Sequence, residues 1–410
     1  MEQFLEKAKS ASRLLATMSG SERNRVLREM AQSLRANTMN IIEINAIDMQ
    51  RAEEENLPSS LKDRLMLDEK RIEAMAVAIE EIAALKDPVG RVIEGWVTEA
   101  GLKIEKVSIP IGMIGIIYES RPNVTSDTAA LCFKSSNGCV LKGGKEAEQS
   151  NKIIADILQQ VLVRNNLPKE LISLLPDASR EGVAKLIKMD KYVDLIVPRG
   201  GEALIQFVSK NASIPVVKHD KGQCHLYVDK DANIDDALRI AINAKVQRPS
   251  ACNSIETLLV DSAIADTVLP LFKEVFDKEE TLLKGCDQTR AVISIAEASE
   301  IDYDTEYGEN ILNIRVVDGV DGAIEHIVRF GSAHSESIIT ENITTAEIFM
   351  NSIDSSTLYV NASTRFTDGG MFGFGAEVGI STSKLHARGP MGIEGLTTYK
   401  YKVYGKGQIR

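Results

Sequence analysis

The chain is 410 residues long, 44% apolar and 26% charged, with a net charge of -11. One hydrophobic core does not serve that length, so about two to three domains are expected within an ordinary globular composition. The acidic balance argues against a nucleic-acid or membrane-surface partner, which needs a basic face, and leaves room for an anionic small substrate held by local arginines. No run has the length and apolarity of a membrane span, and Met1 to Ser19 lacks the apolar core of a signal peptide. Cys132, Cys139, Cys224, Cys252 and Cys286 are scattered without a CxxC pair, which reads as reduced thiols in a cytoplasm. The histidines show no metal-ligand spacing such as HExxH, so no metal site is expected.

Residues 1 to about 95 carry helical apolar stripes, beginning with Phe4, Leu5, Ala8, Ala11, Leu14 and Leu15. Val97 to Val107 alternates weakly, as a hairpin arm would, and Ile109 to Tyr118 reads as one buried strand. Strand and helix patterns then alternate. Strands are expected at Cys139–Lys142, Leu171–Leu175 and Val193–Val197, with helices at Glu146–Asn165, Arg180–Met189 and Glu202–Lys210. A second block follows, with strands at Leu226–Val228, Glu256–Val260, Ala291–Ile295 and Thr357–Val360 and helices at Ile234–Ala244 and Ala263–Phe276. This rhythm predicts an α/β protein with two doubly wound units in series.

Cys252 is the most informative single residue. It follows Gln247-Arg248-Pro249 on a short turn between helix and strand, since the residue before a proline leaves the α region. A nearby cation such as Arg248 lowers a thiol's pKa, which suits a nucleophile; a small buried hydrophobe is the plainer local reading. Tyr118-Glu119-Ser120-Arg121-Pro122-Asn123 ends a strand, where open α/β sheets place ligands. There Asn123 can donate to an oxyanion and Arg121 can hold a carboxylate or phosphate, or the cluster can simply cap a helix. Lys142-Gly143-Gly144-Lys145 and Pro198-Arg199-Gly200-Gly201 repeat one design: strand end, glycine pair, helix start, with cations alongside. Together they suggest a dinucleotide site without the GxGxxG fingerprint. Arg365 and Arg388 lie in the long glycine-rich tail and are candidates for gripping an acidic substrate.

Taken in order and spacing, Ser120 to Thr125, Leu141 to Lys145, Val197 to Gly201, Gly222-Gln223-Cys224-His225, Gln247-Arg248-Pro249, Cys252-Asn253, Asn361 to Phe366 and His386 to Pro390 resemble the gamma-glutamyl phosphate reductase family. That family is a branch of the aldehyde dehydrogenase superfamily. The resemblance implies NADPH-dependent reduction of L-glutamyl 5-phosphate to L-glutamate 5-semialdehyde, with phosphate release, in L-proline biosynthesis. It implies Cys252 as nucleophile and Asn123 as oxyanion partner. It places NADP on Lys142, Gly143, Gly144, Lys145, Pro198, Arg199, Gly200 and Gly201, and the substrate's anionic ends on Arg121, Arg365 and Arg388. Hydrolytic relatives carry a glutamate base where His219 stands here, and many NAD-using relatives carry a glutamate where Lys145 stands; both departures point to an NADP-using reductase. The alternative is another NAD(P)-dependent aldehyde dehydrogenase, oxidising or CoA-acylating.

The resemblance also implies an aldehyde dehydrogenase-like architecture: an NADP-binding domain over 1–225, interrupted by an arm at 96–112, a catalytic domain over 226–370, and a C-terminal segment over 371–410. The arm and the tail around Leu396–Tyr401 would pair across a subunit interface, giving a homo-oligomer, dimer or tetramer. A functional association with glutamate 5-kinase in the cytoplasm is implied as well.

Overall fold

The structure is a computed structural model that describes residues 1–217 and 221–410. The chain divides into two compact units, Met1–Lys218 with Gly373–Gly379 and Pro390–Arg410, and His219–Phe372 with Ile380–Gly389. The first boundary therefore falls ahead of residue 225, and residues 371–410 do not form a segment of their own but are shared between the two units.

The first unit begins with five helices, α1 (Glu2–Leu15), α2 (Gly20–Ala36), α3 (Thr38–Glu54), α4 (Ser59–Leu65) and α5 (Glu69–Ala84). Helix α2 starts at a capping box, in which the Ser19 side chain accepts from the Glu22 N–H and the Glu22 carboxylate accepts from the Ser19 N–H. The arm follows as β1 (Val92–Val97) and β2 (Lys103–Pro110). Next come β3 (Met113–Tyr118), α6 (Pro122–Lys134), β4 (Gly138–Lys142), α7 (Glu148–Arg164), β5 (Ile172–Leu174), α8 (Arg180–Leu186), β6 (Leu195–Arg199) and α9 (Glu202–Asn211). Their four strands form a parallel sheet in the order β5-β4-β3-β6.

The run 109–118 is not one strand. Gly112 has φ +133°, which a side chain rarely tolerates, and it separates β2 of the arm from the fully buried β3. A Cβ at Gly112 would also lie 2.2 Å from the Asp194 carboxylate, which accepts from the Met113 N–H at 2.7 Å.

The second unit alternates β7 (Cys224–Val228), α10 (Ile234–Val246), β8 (Ile255–Asp261), α11 (Ala265–Lys278), β9 (Leu282–Gly285), α12 (Asp287–Val292), β10 (Ala296–Glu297), α13 (Glu300–Tyr303), β11 (Ile311–Val317), α14 (Gly319–Phe330), β12 (Ser335–Ile339), α15 (Ile343–Ser352) and β13 (Thr357–Val360). The seven strands are parallel, in the order β10-β9-β11-β8-β7-β12-β13. One face packs Leu226, Leu258 and Val260 on Ala241 and Phe272; the other packs Tyr227, Leu259 and Ile338 on Ile327 and Phe349. A sheet covered on both faces accounts for strands that read as near-continuous apolar runs.

The expected strand at Ala291–Ile295 is instead the end of α12 followed by a short connection to β10. Thr289 holds that helix down by donating to the Ile314 carbonyl at 3.1 Å. The tail supplies β14 (Gly379–Ser381), β15 (Gly389–Met391) and β16 (Thr397–Tyr404). β16 pairs antiparallel with β2 of its own chain, from Thr397 opposite Pro110 to Tyr404 opposite Lys103. The tail thus completes a three-stranded sheet, β1-β2-β16, within one subunit, where the sequence suggested pairing between subunits. Among the described residues no helix is long and apolar enough to cross a membrane. No group of three or more His, Cys, Asp or Glu side chains among them could hold a metal ion.

Candidate active site

In the second unit α10 ends before Pro249, and a tight turn carries Cys252 and Asn253 to the start of β8. The Ser254 N–H closes that turn on the Ala251 carbonyl at 2.9 Å. Asn253 is buried; its amide donates to the Thr367 carbonyl at 2.9 Å, and its own carbonyl accepts from the Thr364 hydroxyl at 2.7 Å. Cys252 is left partly exposed, whereas Cys132, Cys139 and Cys224 are buried. Burial pushes the Cys224 thiol well up, so it stays protonated, and it donates to the Cys252 carbonyl at 3.3 Å. Of these two neighbouring sulfurs, Cys252 is the one placed to react.

Gly222 forms the floor under this turn. A Cβ there would stand 2.4 Å from the Cys252 carbonyl oxygen and 2.6 Å from its Cα, so only glycine fits. The Gly222 N–H in turn donates to Glu306 at 2.8 Å. Arg365 donates to the Gln247 side chain at 3.1 Å. Burial lowers its pKa from the ordinary guanidinium value, Arg248 adds to that, and Cys252 and Asp368 oppose it, so the Arg365 guanidinium lies within electrostatic reach of both the thiol and Arg248. Arg388 faces elsewhere: its guanidinium pairs with the Asp354 carboxylate at 2.7 Å and donates to the Asp354 carbonyl at 2.8 Å.

In the first unit the C-terminal ends of β3, β4 and β6 gather the other residues singled out in the sequence. Asn123 is exposed in the first turn of α6 and donates to Asp127 at 3.0 Å, while burial pushes the Asp127 carboxyl up to about 6. Arg121 precedes it at the N-terminal boundary of α6. Lys142 is half-buried; desolvation lowers its pKa, and Glu146 and Glu119 oppose that. Lys145 is exposed just beyond the glycine pair. Gly143 is required because a Cβ would strike the Asn151 amide at 2.0 Å. Asn151 belongs to a buried chain, accepting from Thr125 at 2.9 Å, which meets the Tyr118 hydroxyl at 2.7 Å.

Two carboxylates that the sequence reading left without a role organise these turns. Glu146 accepts from the Ser120 N–H at 2.6 Å and hydroxyl at 2.7 Å. Glu119 accepts from the Gly201 N–H at 2.9 Å, at the start of α9, and so occupies an anion-accepting helix end. Their signal in the sequence was slight: one acid beside each strand-end turn. A cavity of about 710 Å3 opens beside Gly143 and Gly144 and reaches Lys152 and Pro176. A second cavity, about 610 Å3, lies by Cys286 and Asp318, past the ends of β9 and β11 and so at the opposite sheet edge from Cys252. His219 lies outside the described residues.

Residues 1–302 match the model of the aldehyde dehydrogenase family. A gamma-glutamyl phosphate reductase of Sulfurovum sp. is 73% identical over the full length of both chains, and one of Sulfurimonas denitrificans is 71% identical over the same extent. The crystal structure of gamma-glutamyl phosphate reductase from Thermotoga maritima superposes with a TM-score of 0.98 at 45% identity, covering 100% of this chain and 99% of that one. The chain belongs to the aldehyde dehydrogenase family, on its gamma-glutamyl phosphate reductase branch. That family uses nicotinamide cofactors, and the turn residues of the first unit fit one: glycine pairs at strand ends, lysines beside them, a helix-end N–H that already donates to a carboxylate, and an adjoining cavity.

Proposed function

We propose that this reductase-branch enzyme converts L-glutamyl 5-phosphate to L-glutamate 5-semialdehyde and phosphate in L-proline biosynthesis, using NADPH and a thioester on Cys252. The observation that carries the reading is the partly exposed Cys252 on a turn braced by Gly222 and Asn253, with the Arg365 guanidinium within electrostatic reach. The Cys252 thiolate attacks the acyl carbon, the bond from that carbon to the phosphate oxygen breaks, and phosphate leaves with the electron pair. The Cys252 backbone N–H and the Asn123 amide, which has a second N–H besides the one given to Asp127, donate to the oxyanion of each tetrahedral adduct. When bound, the cofactor supplies the hydride. Departure of the Cys252 thiolate then frees the aldehyde.

Lys142, Gly143, Gly144, Pro198, Arg199, Gly200 and Gly201 would hold the dinucleotide, with the exposed Lys145 favouring a 2′-phosphate. Arg365 and Arg121 would hold the substrate's anions; Arg388 would join only by leaving Asp354. The three-stranded arm keeps open strand edges and exposed Trp96, Tyr399 and Tyr401, which suits assembly with further copies of the chain in the cytoplasm. The deciding experiment follows NADPH formation from glutamate semialdehyde, with and without inorganic phosphate, in the wild type and in Cys252→Ser. Phosphate-dependent activity lost in Cys252→Ser is expected; phosphate-independent turnover would move the chain to the oxidising or CoA-acylating relatives.

A further inference from the structure

We infer that the buried Lys245–Glu256 ion pair is the positioning device of the nucleophile, an inference that rests on Cys252 being that nucleophile. Lys245 stands in the last turn of α10 and Glu256 near the start of β8; the chain between them makes the turn that carries Cys252. Their side chains meet at 2.7 Å with exposures of 0% and 1%, closing the neck of the loop. Ser254 reinforces the closure by donating to the Ala244 carbonyl at 3.1 Å and the Lys245 carbonyl at 3.3 Å.

The neck is also tied to the floor. The second oxygen of Glu256 accepts from the Gly308 N–H at 3.3 Å. Two residues earlier, Glu306 accepts from the N–H of Gly222, the residue that abuts the Cys252 backbone. One short segment thus fixes both the base of the loop and the surface on which the nucleophile rests.

Energetics point to position and not to stability as the reason for the pair. Desolvating two charges costs about what their attraction returns, and well-packed apolar residues of similar volume often do as well or better. Apolar packing is at hand, since Ala244, Leu258 and Ala241 belong to the adjoining core. Apolar contacts are non-directional, however, whereas an ammonium–carboxylate contact sets a distance and a register between two chain ends. A nucleophile needs that, because a displacement of about 1 Å can cost roughly 100-fold in rate.

The test replaces the pair by apolar residues, Lys245→Met with Glu256→Leu, and reads three quantities. The unfolding midpoint should stay within about 3 °C of wild type, as for other apolar replacements of buried pairs. kcat should fall by about 10- to 100-fold with KM for NADPH unchanged, and the rate of Cys252 alkylation by iodoacetamide should shift by about tenfold. Alkylation and kcat within about twofold of wild type would overturn the inference, as would a loss of activity that merely follows a lowered unfolding midpoint while alkylation stays the same. Should the double variant not fold, Glu256→Gln keeps the shape and a neutral hydrogen bond, and the same readouts apply. Cys252→Ser is the control: full activity there would remove the nucleophile assignment, while the alkylation readout still reports the geometry of the loop.

Discussion

Each unit draws a lysine out of water, and the two are treated in opposite ways. Lys245 in the second unit is fully buried and has a carboxylate at 2.7 Å, so its charge is spent within the protein. Lys142 in the first unit is half-buried at a strand end, between glycine turns and beside a cavity, with Glu146 and Glu119 acting on it electrostatically. The same contrast runs through the neighbouring groups. Around Cys252 the Asn253 amide, the Ser254 hydroxyl and the Gly222 N–H are all committed to holding the turn and its floor in place. At Gly201 the backbone is left bare, with nothing within 4 Å of where a Cβ would stand, and its N–H is lent to Glu119. A sealed frame suits covalent chemistry, which needs a fixed reacting atom; an open edge suits a large anionic cofactor that must enter and leave.

The comparison can be broken most sharply at the sulfur. Cys252→Ser should lower turnover by about 1000-fold or more with cofactor binding intact, as measured by steady-state rates and NADPH fluorescence titration. Gly222→Ala comes next: its new Cβ would push the Cys252 turn, and kcat should fall about 100-fold with KM for NADPH little changed. A Gly222→Ala protein with wild-type kcat would show that the frame is not tight.

The open edge is tested by Lys145→Glu. Preference for NADPH over NADH, taken from the ratio of kcat/KM values, should drop by about tenfold as a carboxylate meets the 2′-phosphate. Unchanged preference would take cofactor selection away from that turn. The smallest effect concerns the cost of sealing. His326 is 4% exposed, and burial, helped by His225, Arg315 and Arg329, pushes its pKa down to about 2. The unfolded chain therefore binds the extra proton, and this group's contribution to stability is present above about pH 6.5 and lost as pH falls below it, by at most about 1.4 kcal/mol per pH unit. His326→Leu should flatten that acid limb in unfolding midpoints recorded between about pH 4 and 7.

Much of the fold could be read locally. Apolar, β-branched runs between glycine turns mark β3, β4, β6 and β8, and Pro249 marks the end of α10, because both signals depend on a few adjacent residues. The strands β9, β11 and β12 were missed for a physical reason. β12 reads Ser335-Glu336-Ser337, polar by composition, yet it is fully buried because Glu336 is satisfied by the His225 N–H at 2.8 Å and its ring at 2.9 Å. The site residues were legible wherever a strand end, a glycine pair and a cation adjoin in sequence. Glu119, Glu146 and Gly222 were not, since their partners lie tens of residues away.

The alternation of strands and helices from β3 to α9, the turn that presents Cys252 and the glycine turns at β4 and β6 follow from the sequence alone, because each is decided by neighbours along the chain. Tertiary structure alone decided that the tail strand β16 closes on its own arm, that Gly112 parts two strands the composition would join, and that Lys245 meets Glu256 at the neck of the Cys252 loop. Those outcomes depend on which groups come into contact after burial. The cost of an unpaired strand edge or a buried charge is set only then.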